Sequence, residues 1–298
     1  MSQDPQDTEP ATTERSVART RAGGAGKPGR RVLVAGNWKM HHDHVQAIRT
    51  VQDIGMRLAP GILEALDVSV HPPFTDLRSV QAALADRGLP LLLGAQNCHW
   101  EDQGAFTGEV SAGMLAHLGV AYVIVGHSER RRLFAETDEQ VAKKSAAVLA
   151  QGMTPIVCVG ETEEEHDSGL AGERIASQIR GSVGPLGPEL AARVVVAYEP
   201  IWAIGTGRAA SGADASAGCL AAREALQETS GDLVGEGVRV LYGGSVTPAN
   251  AGELVAQADV DGLLVGGASL DGASFAGIVE AVMDARRLRV PTPGRRAR

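Results

Sequence analysis

The stretch AYEPIWAIGTG, residues 197–207, decides how this chain is read. An apolar run, Val194-Val195-Val196-Ala197, leads through Tyr198 to a single carboxylate, Glu199, and Pro200 follows at once. Ile201, Trp202, Ala203 and Ile204 come next, and then Gly205-Thr206-Gly207. As a physical object this is a strand that delivers an acid to its C-terminal end. Behind it lies a segment with an apolar centre and two hinges, where φ is fixed by proline or freed by glycine. Such a segment is suited to be a lid. An ordinary strand-to-loop turn with a solvated Glu has the same local pattern, so the rest of the chain has to decide.

Working outward, the same rhythm repeats on both sides. Short continuous apolar runs at 32–35, 68–70, 91–94, 122–125, 155–159, 194–197, 239–241 and 262–265 read as strands buried on both faces. Amphipathic stretches at 45–58, 77–86, 138–151, 172–183, 216–229 and 249–256 read as helices between them. Thr137 with Asp138 and Glu139 marks one helix start, Thr247-Pro248 another, and Gly152 a helix end. Eight β-then-α units without a hairpin signal predict a parallel sheet. Eight such units close into a (β/α)8 barrel. The alternative, an open doubly wound sheet, lacks a GxGxxG after its first strand.

The chain has 298 residues, 44% of them hydrophobic, and a net charge of −8. The length fits one barrel domain. The acidic balance and an aromatic content of 3% argue against nucleic acid as a partner. Cys98, Cys158 and Cys219 stand in unrelated contexts, with neither disulfide nor zinc spacing, and a reducing cytoplasm is expected. Residues 1–30 read as a polar, disordered tail without the apolar core of a secretory signal, and 290–298 as a loose basic tail. The catalytic domain is expected over 31–289, and no run is long enough to cross a membrane.

In such a barrel, chemistry belongs just past each strand's C-terminal end. Polar residues and glycines collect there: Asn37 and Lys39 after strand 1, Gln96-Asn97 after strand 3, and His127-Ser128-Glu129 after strand 4. Gly160-Glu161 follow strand 5, Glu199 strand 6, Gly243-Gly244-Ser245 strand 7, and Gly266-Gly267 strand 8. Taken singly, each has a bland reading. Lys39 reads equally as a surface lysine, His127 as a core histidine satisfied by backbone, and the glycine pairs as tight turns. Cys158, with no partner histidine following it, reads as a small buried hydrophobe.

Together NWKM, QN, GAFTGE, GHSERR, CVGE, AYEPIWAIGTGR, YGGSV and DGLLVGGASL resemble the motifs of triosephosphate isomerase, in that family's order. The resemblance implies a TIM barrel and a cofactor-independent isomerase of glycolysis and gluconeogenesis, which moves a proton between adjacent carbons of a small sugar phosphate. It implies Glu199 as base, His127 as the neutral electrophile, Lys39 as the cation, Glu129 as its supporting acid, and Asn37 as a further polar contact. Gly205, Ser245, Gly266 and Gly267 would bind phosphate through backbone amides. Pro200, Trp202, Ile204, Thr206 and Gly207 would form the lid. Tyr242 and Ser245 would latch it, Glu161 would hold Trp202, and Leu264 and Ile204 would cover the base. The loop with Thr107 would reach Asn37 and Lys39 of the partner subunit, giving a homodimer. No metal or organic cofactor is implied.

The sequence departs from the family pattern at His41-His42-Asp43-His44 and at 211–218. Three histidines in four residues invite a metal reading, but no distant ligands accompany them, and a surface helix start is expected. A tetrulose-phosphate isomerase sharing Lys39, His127 and Glu199 is the alternative function. A non-catalytic barrel fits less well, because all three residues are present.

Overall fold

Alternation within each apolar run sends successive side chains to opposite faces of a strand. In the computed structural model, which describes residues 30–59, 61–204 and 210–289, those runs form eight parallel strands. They are β1 Leu33–Asn37, β2 Asp67–His71, β3 Leu92–Ala95, β4 Tyr122–Val125, β5 Thr154–Val159, β6 Val195–Tyr198, β7 Arg239–Tyr242 and β8 Gly262–Val265. Each pairs with the next, and β8 pairs with β1, so the sheet is a closed barrel. The eight expected strands are all present. β1 runs two residues further than read, which makes Asn37 its last residue rather than part of the loop.

Outward side chains such as Val34, Val70, Val125, Val157, Val240 and Val265 pack into the layer beneath the helices. Inward side chains, among them Leu33, Ala35, Ile124, Ile156, Cys158, Ala197, Leu241 and Leu264, fill the barrel interior. The inward positions 33 and 35 in β1 continue to Asn37, and 195 and 197 in β6 continue to Glu199. Alternation alone therefore aims these two polar side chains at the mouth of the barrel. The opposite end is closed by charge: Arg239 donates to Asp67 at 2.8 Å and to the Tyr122 hydroxyl at 2.9 Å.

The helices begin where their caps are. His44–Arg57 starts after Asp43, Asp138–Ala150 after Thr137 and Gly212–Ser230 after Ser211, each with a reciprocal capping box. The last of these begins four residues earlier than read, because Ser211 supplies the cap. The expected start at Thr247-Pro248 is corrected: the helix is Ala251–Val255, with Asn250 at its N-cap. Asn250 spends its side chain on the preceding turn, accepting from the Thr247 amide and donating to the Ser245 carbonyl. Gly152 ends its helix as read, with φ 76. Arg30, read as part of the tail, is anchored to the barrel through Asp261 at 2.7 Å and the Glu236 carbonyl at 2.8 Å. The tail readings for 1–29 and 290–298 lie outside the described residues. No helix among those described is long and apolar enough to cross a membrane.

His71, the last residue of β2, is fully buried inside the barrel. Its Nδ1 is 3.1 Å from the Ala95 carbonyl and its Nε2 is 3.0 Å from the Ser69 hydroxyl. The carbonyl can only accept, so Nδ1 carries the hydrogen, Nε2 accepts from Ser69, and the ring is neutral. The ring fills the space that a Cβ on Gly94 would need, which explains a glycine inside β3. Burial lowers the pKa of His71 to about 4, against the raising effect of the bond to Ala95. In the unfolded chain a histidine titrates near ~6.5, so between that value and about 4 the unfolded state binds the extra proton. Stability linked to this group is present above the unfolded value and is lost as pH falls toward the folded one. His71→Ala is expected to be less stable than the parent at pH 7. It should also lose up to ~3 kcal/mol of the pH dependence below pH 6.5, measured by denaturant unfolding at several pH values.

Candidate active site

β6 delivers Glu199 to the rim, where its amide donates to the Val159 carbonyl of β5 at 2.7 Å. A Cβ on Gly160 would collide with the Glu199 carbonyl, so glycine is what lets the two strands approach at this level. The Glu199 side chain is 2% exposed. Its Oε1 lies 3.0 Å from His127 Nε2, and its Oε2 accepts the Ser128 amide at 2.8 Å. Burial pushes the carboxyl up, but His127 and the donors of Ser128 outweigh it and hold Glu199 below the ordinary carboxylate range.

His127 caps the helix Ser128–Phe134, accepting the Glu129 amide at Nδ1 over 3.2 Å. Burial disfavours a proton on the ring and the Glu199 carboxylate favours one, with a net upward pull. A second ring proton would have to sit on Nδ1, facing the Glu129 amide hydrogen. We therefore assign the neutral Nε2–H tautomer, which donates to Glu199, in spite of that pull. The helix N-terminus acts in the same sense.

Lys39 sits just beyond β1 with φ 53, a left-handed conformation that a lysine rarely adopts. Three bonds hold it there. Its amide donates to Asn37 Oδ1 at 3.1 Å, its carbonyl accepts from Gln96 Nε2 at 2.8 Å, and its Nζ donates to Glu129 Oε1 at 2.7 Å. Gln96 also donates to the His71 carbonyl at 2.8 Å, which ties Lys39 to β2.

Asn37, Lys39, His127, Ser128, Glu129 and Glu199 face one cavity of about 610 Å³, lined also by Gly243, Gly244, Ser245, Gly266, Gly267, Ile204 and Leu264. Gly267–Ser269 forms a single 3-10 turn after β8. Trp202, in a second short turn Ile201–Ala203 behind Pro200, donates to Glu161 Oε1 at 2.6 Å. The Tyr198 hydroxyl reaches the same oxygen at 2.9 Å, and His166 stacks on Trp202 at 4.3 Å between ring centroids. Tyr242 is buried, with the Ser245 amide beside its hydroxyl. Gly205, Thr206 and Gly207 lie outside the described residues.

Thr107 stands on an exposed loop and does not line the cavity. Cys158 is buried with its thiol pushed well up by desolvation. Asp43 caps its helix, His42 packs edge-on against Trp38 at 5.0 Å, and no metal-holding cluster of three or more His, Cys, Asp or Glu occurs among the described residues. The sequence reading missed two features. One is the Ser128 amide, whose signal was its place in the first turn of a helix, where N–H groups lack helical partners. The other is Arg132, which also lines the cavity and stands three residues after Glu129 on the same helix.

Residues 32–282 match the triosephosphate isomerase family. The triosephosphate isomerase of Mycobacteroides abscessus is 52% identical over 247 residues, covering 83% of this chain and 95% of that protein. The Corynebacterium efficiens enzyme of the same name is 51% identical over 247 residues, covering 83% and 94%. Among solved structures, the triosephosphate isomerase of Bartonella henselae superposes with a TM-score of 0.75 at 35% identity, over 85% of this chain and 99% of that one. On the strength of the barrel, the grouping of Glu199, His127 and Lys39 around one cavity, and these matches, the chain belongs to the triosephosphate isomerase family.

Proposed function

We propose that Glu199 is the base with which this triose-phosphate isomerase interconverts glyceraldehyde 3-phosphate and dihydroxyacetone phosphate through an enediolate. The observation that carries the assignment is the 3.0 Å contact between Glu199 and His127 Nε2 inside the cavity that Lys39 also lines. A substrate carbonyl oxygen entering between them takes the Nε2–H bond and frees Glu199. Released from His127 and Ser128, and covered by Ile204 and Leu264, the carboxylate loses what holds its pKa down, while burial still pushes it up. It then removes a proton from one carbon and returns it to the neighbour, as a base matched to the working pH. Neutral His127 donates to the developing oxyanion. Triosephosphate isomerase is itself a familiar worked example of this tuning of a Glu and a neutral His.

Lys39, held by Glu129 and Asn37, supplies positive charge to the enediolate and to the phosphate. Ser245, Gly266 and Gly267 bind phosphate through amides, and at the two glycines no Cβ stands between the backbone and the phosphate. Gly205 is proposed as a further amide, and Pro200 to Gly207 as the lid, with Thr206 in its C-terminal hinge. The Tyr242 hydroxyl, beside the Ser245 amide, is a suitable latch for it. Trp202 on Glu161 holds the lid's first hinge in the arrangement described.

The catalytic unit is the barrel of residues 31–289, to which Arg30 is anchored, and the enzyme works in the cytoplasm as a homodimer. Met40 is 94% exposed beside Lys39, and Phe106 is 42% exposed beside Thr107. Apolar side chains displayed next to catalytic and loop residues support a partner subunit there.

Glu199→Asp withdraws the carboxylate by one methylene, and kcat is expected to fall by about 10²–10³-fold while the fold is retained. Near-parental turnover by circular-dichroism-matched protein would remove Glu199 from this role. In assays of glyceraldehyde 3-phosphate beside erythrulose phosphates, the three-carbon substrate should give the higher kcat/KM. Faster turnover of the four-carbon substrates would transfer the assignment to the tetrulose-phosphate isomerase. Phe106→Asp should shift the protein from dimer to monomer in sedimentation equilibrium and lower kcat; a monomeric parent of full activity would sink the dimer proposal.

A further inference from the structure

We propose that Arg132 is the cation that draws the substrate's phosphate into the cavity. This rests on the phosphorylated-substrate reading above and deepens it.

The helix Ser128–Phe134 carries three consecutive arginines, and their environments differ. Arg130 donates to Glu136 at 2.9 Å and lies 4.9 Å from the centre of the Phe134 ring. Arg131 donates to the Gly126 carbonyl, Asp138, the Cys158 carbonyl and Ser182, and so ties the helix to the barrel. Arg132 is exposed and has no hydrogen-bonding or ionic partner among the described residues, yet it lines the cavity. Helical spacing explains the split. Arg132 follows Ser128 by four residues and Glu129 by three, so it lies on the face those two residues present to the cavity. Arg130 and Arg131 are turned toward the scaffold.

The charge balance of the lining gives Arg132 its effect. Lys39 is engaged by Glu129 at 2.7 Å, and Glu199 is ionised beside a neutral His127. Without Arg132 the described lining would carry a net negative charge, in a chain whose overall charge is −8. A phosphate dianion approaching that surface would be repelled. An unpaired guanidinium at the cavity cancels that excess charge and removes the repulsion, and the low-dielectric walls of a concave site strengthen the effect. Because Arg132 is solvated and not locked in an ion pair, its role is recruitment through space and not proton transfer.

The role is read in kcat/KM and its salt dependence. For Arg132→Gln, kcat/KM for glyceraldehyde 3-phosphate should fall about three- to fivefold at ~0.01 M ionic strength, where the Debye length is ~30 Å. The difference should vanish at ~1 M, where it is ~3 Å. kcat should stay within about twofold, Arg132→Lys should retain most of the low-salt advantage, and Arg132→Glu should lose more than Arg132→Gln. Arg180→Gln removes the same charge from the exposed face of the outer helix Ala171–Ser182 and should behave like the parent. Parental kcat/KM in Arg132→Gln at low salt, a deficit that persists at ~1 M, or an equal deficit in Arg180→Gln would each overturn the proposal. A parent enzyme that fails to turn over triose phosphates would instead overturn the functional reading itself, so the two failures are distinguishable.

Discussion

Leu33 to Gly36 of β1 pair in register with Gly262 to Val265 of β8, and that seam converts a row of parallel strands into a ring. Everything catalytic depends on the ring being closed. Asn37 and Lys39 belong to the first βα unit and Gly266 and Gly267 to the last, some 230 residues apart in sequence, yet they line one cavity. In an open sheet the same residues would stand at opposite edges. Strand alternation then fixes which side chains reach the axis, and the parallel direction places every strand end on the same rim.

Within that rim, the resting contact between Glu199 and His127 has a double effect. It satisfies two buried polar groups that would otherwise be costly, and it holds the carboxylate ionised. In the mechanism proposed above, substrate binding exchanges this contact for new ones. The exchange is nearly even in hydrogen bonds, because His127 keeps a partner in the substrate oxygen. Glu199 is the group left short of donors, and a short-changed buried carboxylate is a stronger base. On that proposal, reactivity follows from a bond that is given up, with no need for strain in the carboxylate itself.

How much of this was legible in the sequence depends on the kind of signal. The eight strands showed because they are buried on both faces and appear as unbroken Val, Leu and Ile runs, and the rim residues followed once the strand ends were placed. The start after Ser211 was read late because Gly212 to Ser216 carry no apolar period, and the start near Thr247 was misplaced because Asn250 is the N-cap. Asn250 turns its side chain backward, and a single sequence does not reveal which way an amide points. Arg30 passed for tail because its partners, Asp261 and the Glu236 carbonyl, come into reach only when the barrel closes. The Ser128 amide is backbone and leaves no residue-type signature. His71 in the interior shows the same limit: its match with Gly94 is a contact between neighbouring strands, and residue type alone does not report it.

Lys39 shows how the rim fixes a flexible residue. A left-handed backbone costs a non-glycine residue about 1–2 kcal/mol. Against this stand two hydrogen bonds to its backbone groups, from Asn37 and Gln96, each contributing ~0.5–1.5 kcal/mol, and a charged bond to Glu129. The conformation is thus held by interactions whose sum is comparable to its cost, and they come from β1, from the loop after β3 and from the helix after β4. Removing one of them leaves the others opposing a relaxed backbone. The long side chain of a lysine ordinarily samples many rotamers; here both its origin and its tip are fixed, and only the tip's partner, a half-exposed carboxylate, is free to yield to an incoming anion. Positional accuracy at the cation therefore comes from the frame around it, while the ability to change partners is kept at the one contact that solvent can reach.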